Sequence, residues 1–258
     1  MGKRQHPKIY SKNQILKIKE TGQIVNEVLS LMASQCEVGM STHQLDLLGK
    51  RLIEFKHASS ASFGYKGFPG YSCISVDEVI IHGVPSKDKI ISEGMIVNID
   101  CPVKYKGMFA DAALNVEVGE VDEEKHKLNQ TTFNCLMETL NMVGPGVKIG
   151  EICKFQEDFA HRHGYKVVKT FQGHGVGRNL HEPPQIPYFF NEKNPYNDYK
   201  LKVGNVIAIE PTLVTNDELV TLSDGWGIVN SDLSFGTSWE HTVVITDNGM
   251  DILTKQHK

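Results

Sequence analysis

Asp100 and Asp111 are the residues from which a chemistry can first be read. Met95, Ile96, Val97 and Ile99 form an apolar, partly β-branched run that predicts a buried strand ending at Asp100. Lys104 to Gly107 predicts the turn of a hairpin that returns the chain to Asp111. Two carboxylates therefore finish side by side, where burial disfavours their charged form and each repels the other. No arginine falls between Gly94 and Asp111, and Lys104 and Lys106 belong to the exposed turn, so the missing counter-charge points to a divalent cation. On this stretch alone, a pair of surface turn aspartates explains the pattern as well.

The elements that must position these acids follow from periodicity. Ser11-Lys-Asn-Gln14 and Ser41-Thr-His-Gln44 are capping boxes that predict a long helix to about Cys36 and a second helix carrying Leu45, Leu48, Leu52 and Ile53, with a break at Val38-Gly39-Met40. Cys73–Val76 and Val79–Ile81 read as a strand and a turn leading into His82, and a strand is predicted at Ala112–Val118. A third helix starts at Asp122 and ends at Gly144-Pro-Gly146, and a fourth spans Ile149 to His163. A strand from Tyr165 to Phe171 precedes the glycine-rich Gly173–His181. Pro183 to Tyr199 reads as an irregular loop, and Leu201–Glu210, Val214–Leu222, Gly227–Asp232 and Trp239–Ile245 read as strands.

The order of these elements repeats. A long helix, a glycine break, a second helix, a strand, His-Gly-Val and a Gly-x-apolar run ending in an acid occur with Gly39, His82-Gly83-Val84 and Gly94–Asp100, then with Gly146, His174-Gly175-Val176 and Gly204–Glu210. The distance from Gly39 to Gly146 nearly equals that from Asp100 to Glu210, the register expected of two similar halves. If those halves face each other, Asp100, Asp111, Glu210 and Glu240 share one pocket with His174. Four neighbouring carboxylates cannot all ionise unaided, whereas two divalent cations cancel their charge and, held roughly 3.5–4 Å apart, bring a shared water toward ionisation at neutral pH. The expected chemistry is hydrolysis. Carboxylates with one imidazole suit Mn, Fe, Co or Zn better than a thiolate-seeking metal.

Composition narrows the class further. The 258 residues, 40% of them hydrophobic, suffice for a single α/β domain, expected here at 11–258 after an N-terminal tail at 1–10. A net charge of −4, with signs interspersed, gives no support for a nucleic-acid partner, and the basic cluster Lys3, Arg4 and Lys8 is too short to change that. No run is long enough to span a bilayer and the first twenty residues carry no signal core, so a cytoplasmic location and no membrane partner are expected. His6 stands where a myristoylation signal after Gly2 wants Ser or Thr. Cys36, Cys73, Cys101, Cys135 and Cys153 have no C-x-x-C spacing and read as reduced thiols, and no apolar surface stripe argues against a monomer.

Together, Gly-His-Gly-Val-Gly-Arg-x-x-His-x-x-Pro (Gly173–Pro184), Val97-Asn-Ile-Asp100, Ala208-Ile-Glu-Pro211 and Glu240-His-Thr242 resemble the type I methionine aminopeptidases over about Ser11 to Leu253. The resemblance implies the α/β (α+β) pita-bread fold, in which two pseudo-symmetric halves share a central curved antiparallel sheet covered by helices. It also implies removal of the initiator methionine when the second residue is small. By that similarity Asp100 chelates one metal, Asp111 and Glu240 bridge both, and His174 and Glu210 hold the second. His82 and His181 face the substrate, and Glu210, with a free oxygen edge, shuttles a proton. Tyr65, Phe68, Cys73, Leu180 and Trp226 match the methionine pocket. Phe68 and Leu180 depart from the family's commoner Tyr and Phe but keep the wall apolar. The implied partner is the N-terminus of nascent polypeptides, with the ribosome that presents them as a second partner to test.

Other readings remain beside this one. A binding module of the same fold would lack ligands, and all five are here. An aminopeptidase P or prolidase would bring a different histidine spacing and an extra N-terminal domain. His161 and His163 read as favourable charges at a helix C-terminus, and Cys101 as a packed thiol.

Overall fold

Ser11 and Ser41 start their helices as the capping boxes require. Gln14 Oε1 accepts from the Ser11 N–H at 3.0 Å and Gln44 Oε1 from the Ser41 N–H at 2.9 Å, opening α1 (Lys12–Gln35) and α2 (Thr42–Phe55). Asp122 caps α3 (Glu123–Met142) through the Glu124 N–H at 2.9 Å, and the Gly144-Pro-Gly146 break separates it from α4 (Ile149–Arg162). The computed structural model of the protein describes residues 6–255. Met1, Gly2, Lys3 and Arg4, on which the myristoylation and basic-cluster arguments rest, lie outside the described residues.

Eight strands form the main sheet, counted in chain order: β1 (Cys73–Val76), β2 (Ile96–Asp100), β3 (Ala112–Glu117), β4 (Gln172–Gly175), β5 (Glu182–Pro187), β6 (Val206–Ile209), β7 (Glu240–Thr246) and β8 (Gly249–Ile252). Their lateral order is β5-β4-β6-β7-β3-β2-β1, antiparallel throughout, with β8 paired to β7. Leaving aside β5 and β8, the order is palindromic about the β7/β3 junction, where Glu240 sits opposite Ala113. Each half also has its own core. Val25, Val28, Leu29 and Met32 of α1 and Leu45 and Ile53 of α2 pack with Ile74, Val97 and Ile99, while Leu136 and Leu140 of α3 and Ile149 and Ile152 of α4 pack with Ile207, Ile209, Val243 and Ile245. Helices cover a shared antiparallel sheet in both halves, as expected.

Three readings of the sequence need correction. His-Gly-Val is not an equivalent feature of the two halves: His174 lies on β4, whose counterpart is β1, whereas His82 lies beyond β1 in a segment that flanks it, Gly83 O accepting from the Ile74 N–H at 2.9 Å. The strand expected at Tyr165–Phe171 shrinks to Lys166–Val167, and the glycine-rich stretch is itself β4. Its glycines are bare because neighbouring chains crowd it. A Cβ on Gly173 would meet the Ala208 carbonyl oxygen at 2.6 Å, and one on Gly175 the Pro183 carbonyl oxygen at 2.2 Å. Finally, the proline-rich start of the expected loop is edge strand β5, the one place in a sheet where proline's missing N–H is harmless. Gly236–Ser238 and β8 are strands the sequence reading did not foresee, and the described part of the expected tail, residues 6–10, includes a Tyr10 only 5% exposed.

Gly83 offers a test of this packing. A Cβ there would meet the Ile74 carbonyl oxygen at 2.2 Å, whereas at Gly146, with φ +90, it meets nothing within 4 Å. Gly83→Ala should lower the stability measured by urea denaturation by about 2 kcal/mol or more, and Gly146→Ala by only about 1 kcal/mol. Equal losses would contradict the register.

Candidate metal centre and substrate cavity

Each half supplies two carboxylates at the junction. Asp100 ends β2 and Glu210 directly follows β6, the corresponding strand. Asp111 directly precedes β3, and Glu240 opens β7. Thr242 stitches the halves together at this point, its Oγ1 accepting from the Asp111 N–H at 3.0 Å and donating to the Asp111 carbonyl at 2.7 Å. The inner strands therefore hold the Asp111 backbone against β7, and the side-chain carboxylate projects into the cavity the two halves enclose.

That carboxylate cluster is short of positive charge. Asp100 Oδ1, Asp111 Oδ1 and Glu240 Oε1 are buried without a hydrogen-bond partner among the described residues. Burial is the main cause raising all four acids: Asp100 to about 6, with partial relief from hydrogen bonds, and Glu210 to about 8. Asp111 and Glu240 are pushed well up by burial and then by the other carboxylates. One ligand atom each from Asp111, His174 and Glu240 lies within 4.8 Å of the others. His174 Nε2 stands 3.5 Å from Glu210 Oε1, and Asp100 is a hydrogen-bonding neighbour of Asp111.

His174 supports the same conclusion from the nitrogen side. Its Nδ1 lies 3.0 Å from the Gly175 carbonyl oxygen, to which only an N–H can bond, so the neutral ring turns its Nε2 lone pair toward the carboxylates. Burial holds this imidazole neutral, its pKa lowered to about 4. A lone pair facing carboxylates, beside three orphaned buried oxygens, fits a cation bound between them. The donor set of oxygens with one imidazole nitrogen fits a divalent metal of intermediate hardness.

The cavity above this centre has a volume of about 970 Å³ and is lined by every residue that the resemblance assigns to the metal, substrate or catalysis. His181 approaches His174 with ring centroids 4.2 Å apart, and its Nδ1 lies 2.8 Å from Tyr65 Oη. Desolvation, then the neighbouring His174, lowers its basicity even though its outer edge reaches solvent. His82 adopts the left-handed region at φ +58, a conformation that persists only where surroundings impose it, and sets its ring edge-on to Phe171 with centroids 4.9 Å apart. Burial lowers its pKa to about 4. Phe68 and Trp226 meet edge-to-face at 5.1 Å, and Cys73 and Leu180 are buried beside the cavity.

Two functional neighbours escaped the sequence reading. Tyr188 Oη donates to Glu210 Oε2 at 2.9 Å, so the oxygen edge expected to be free is held, and Phe171 fixes His82. Tyr188 sits at the end of the proline-rich stretch, where aromatic residues gave no periodic signal. Once that stretch is recognised as an edge strand, its buried hydroxyl demands a partner.

Comparison with known proteins agrees with this geometry. Residues 16–247 match the family described as metallopeptidase family M24. The methionine aminopeptidase of Aquifex aeolicus (strain VF5) is 37% identical over 257 residues, covering 96% of this chain and 98% of that protein. The methionine aminopeptidase of Escherichia coli (strain K12) is 35% identical over 248 residues, covering 95% and 93%. Among solved structures, methionine aminopeptidase from Thermotoga maritima superposes with a TM-score of 0.93 at 33% identity, covering 97% of this chain and all of that one. Prolidase from Pyrococcus furiosus shares the fold with a TM-score of 0.79 at 24% identity, this chain spanning 66% of its length.

The raised carboxyl pKa values set a pH dependence for the metal-free protein. A carboxyl raised by folding binds a proton that the unfolded chain has already released, so its stabilisation is present at low pH and is lost as pH rises through the folded value. The lowered histidines act oppositely, mostly below their ordinary value of 6.5 and fading within about a unit above it. Between pH 6.5 and 8 the raised carboxyls, Glu210 at about 8 among them, outweigh that remainder. The melting temperature of metal-free protein should therefore fall from pH 6.5 to 8, and added Mn2+ should raise it more at pH 8 than at 6.5. A flat profile without metal would contradict the assignment.

Proposed function

Since the chain belongs to metallopeptidase family M24, we propose that it is a metallo-aminopeptidase that removes N-terminal methionine from polypeptides whose second residue is small. The observation that carries this reading is the convergence of Asp100, Asp111, His174, Glu210 and Glu240 at the floor of one cavity whose wall is apolar and aromatic. These five residues would hold two divalent cations, Mn, Fe, Co or Zn, which supply Lewis-acid polarisation and a water acidic enough to ionise near neutral pH.

The chain's own groups account for the rest. The free α-amino group of a substrate is drawn to the carboxylate floor, which restricts cleavage to the first residue. Its side chain lies against Phe68, Trp226, Leu180, Cys73 and Tyr65, an apolar, polarisable wall that suits a thioether. With Tyr65 Oη donating to His181 Nδ1, the neutral ring keeps its proton on Nε2 and donates a hydrogen bond from it to the scissile carbonyl oxygen as charge builds there. His82, held neutral by burial, positions the amide nitrogen. Glu210, ionised once the cations are bound, takes the proton of the attacking water and returns it to the leaving amine while Tyr188 fixes its orientation. Nascent chains are the proposed substrate, a monomer the proposed state and the cytoplasm the proposed location. No helix among the described residues is long and apolar enough to cross a membrane.

Hydrolysis of Met-Gly-Met-Met, Met-Leu-Met-Met and an Ala-Pro peptide, before and after chelation, tests the reading. The first should be cleaved well, the others little, and chelation should abolish cleavage until Mn2+ or Co2+ is restored. Metal-independent turnover or preference for the bond before proline would overturn it. His181→Ala should lower kcat by roughly 100-fold with a smaller change in KM, and an unaltered kcat would remove His181 from its assigned role.

A further inference from the structure

His181 and Leu180 sit on the short connection between β4 and β5. Its start is tied down, the Val176 N–H donating to the Val206 carbonyl at 3.2 Å and the Gly177 carbonyl accepting from the Phe109 N–H at 2.7 Å, whereas beyond Gly177, which adopts φ +155 and whose N–H reaches the Asn179 carbonyl at 3.1 Å, the backbone is held less. Outside the connection, the His181 ring hydrogen-bonds Tyr65. A ring that must meet a substrate carbonyl within tenths of an ångström needs a firmer mount.

The mount comes from the N-terminal arm, residues 8–10. Tyr10 Oη donates to Glu182 Oε1 and accepts from the Arg178 N–H at 2.8 Å, so a single hydroxyl ties both ends of the segment that carries Leu180 and His181. Lys8 Nζ binds Glu182 Oε2 at 2.7 Å, and Asn179 Nδ2 adds a longer bond of 3.3 Å to the same oxygen. Glu182 is only 8% exposed, and without the arm its charge would be buried beside the cavity with no cation. The Tyr10 ring lies directly on Gly177, where a Cβ would meet Tyr10 Oη at 2.3 Å. The arm is anchored in turn at the approach to β6, where the Tyr10 N–H donates to the Gly204 carbonyl at 2.8 Å and Asn205 Nδ2 donates to the Lys8 carbonyl at 2.7 Å.

We propose that Tyr10 and Lys8 are positioning residues for the reaction, holding Glu182 and through it the Leu180-His181 segment in register with the metal centre. The proposal rests on the function proposed above. It makes residues 8–10 part of the active-site scaffold, and it predicts coupling between Tyr10 and His181 through Glu182.

A double-mutant cycle tests it. Tyr10→Phe, and Lys8→Met as a second variant should the first fold poorly, are made in the full chain alone and with His181→Ala, and assayed on Met-Gly-Met-Met with Mn2+. Tyr10→Phe alone should lower kcat about 10-fold, with KM and Mn2+ affinity within about 2-fold, and should cause no further loss once His181 is alanine. An equal fold loss in both backgrounds, or no loss in either, overturns the proposal. Imidazole 15N spectra give a readout independent of turnover. Tyr10→Phe should shift the His181 signals and leave those of His82 in place, and unmoved His181 signals overturn the proposal even if the wild-type chain proves inactive as an aminopeptidase. That inactivity alone would reject only the assigned function.

Discussion

Four carboxyl groups buried against one another, two from each half of the chain, are the constraint around which this molecule is arranged. Among the described residues none of the four is ion-paired with a lysine or arginine, and three of their oxygens lack a hydrogen bond. At such separations in a desolvated site the mutual repulsion amounts to several kcal/mol per pair, and proton uptake by the acids relieves it only in part. Divalent cations relieve it fully, which ties metal binding to the stability of the junction as well as to chemistry.

The sheet explains why the acids meet where they do. Because the strand order is palindromic about β7/β3, the equivalent strands β2 and β6 each lie one place from the junction and bring Asp100 and Glu210 to the same cavity. Asp111 and Glu240 come from the junction strands themselves, locked in register by Thr242. The carboxylates therefore stand on strands of the main sheet or one residue beyond them. The imidazoles that face the substrate stand on connections instead, and each is braced from outside: His82 by Phe171, and His181 by Tyr65 and the residues that flank it. The floor is set by the sheet, whereas the substrate side is set by contacts between loops.

This division also explains what could be read from the sequence. The capping boxes, helix faces and apolar runs are local signals, and they placed α1 to α4 and the strands bearing Asp100, Glu210 and Glu240. The repeated order of elements exposed the pairing of halves and hence the convergence of acids. What failed was whatever depends on a neighbouring chain. Gly173–Gly175 gives no strand signal because its glycines carry no strand propensity, yet they are glycines because flanking segments leave no space for a Cβ. Glu182–Pro187 reads as a loop because proline breaks ladders, yet one side of an edge strand needs no donor. The second His-Gly-Val looked equivalent to the first, although in space His174 lies on a strand of its half and His82 in a segment that flanks one. Tyr188, Phe171 and Tyr10 act at long range, and no spacing in the sequence marks them.

The central claim is that the junction of the two halves binds divalent cations through Asp100, Asp111, His174, Glu210 and Glu240. Anomalous diffraction from crystals equilibrated with Mn2+ measures this directly. The account predicts anomalous peaks at the junction, enclosed by these five side chains. Peaks confined to the surface, or a Mn2+-saturated crystal with none at the junction, would contradict it.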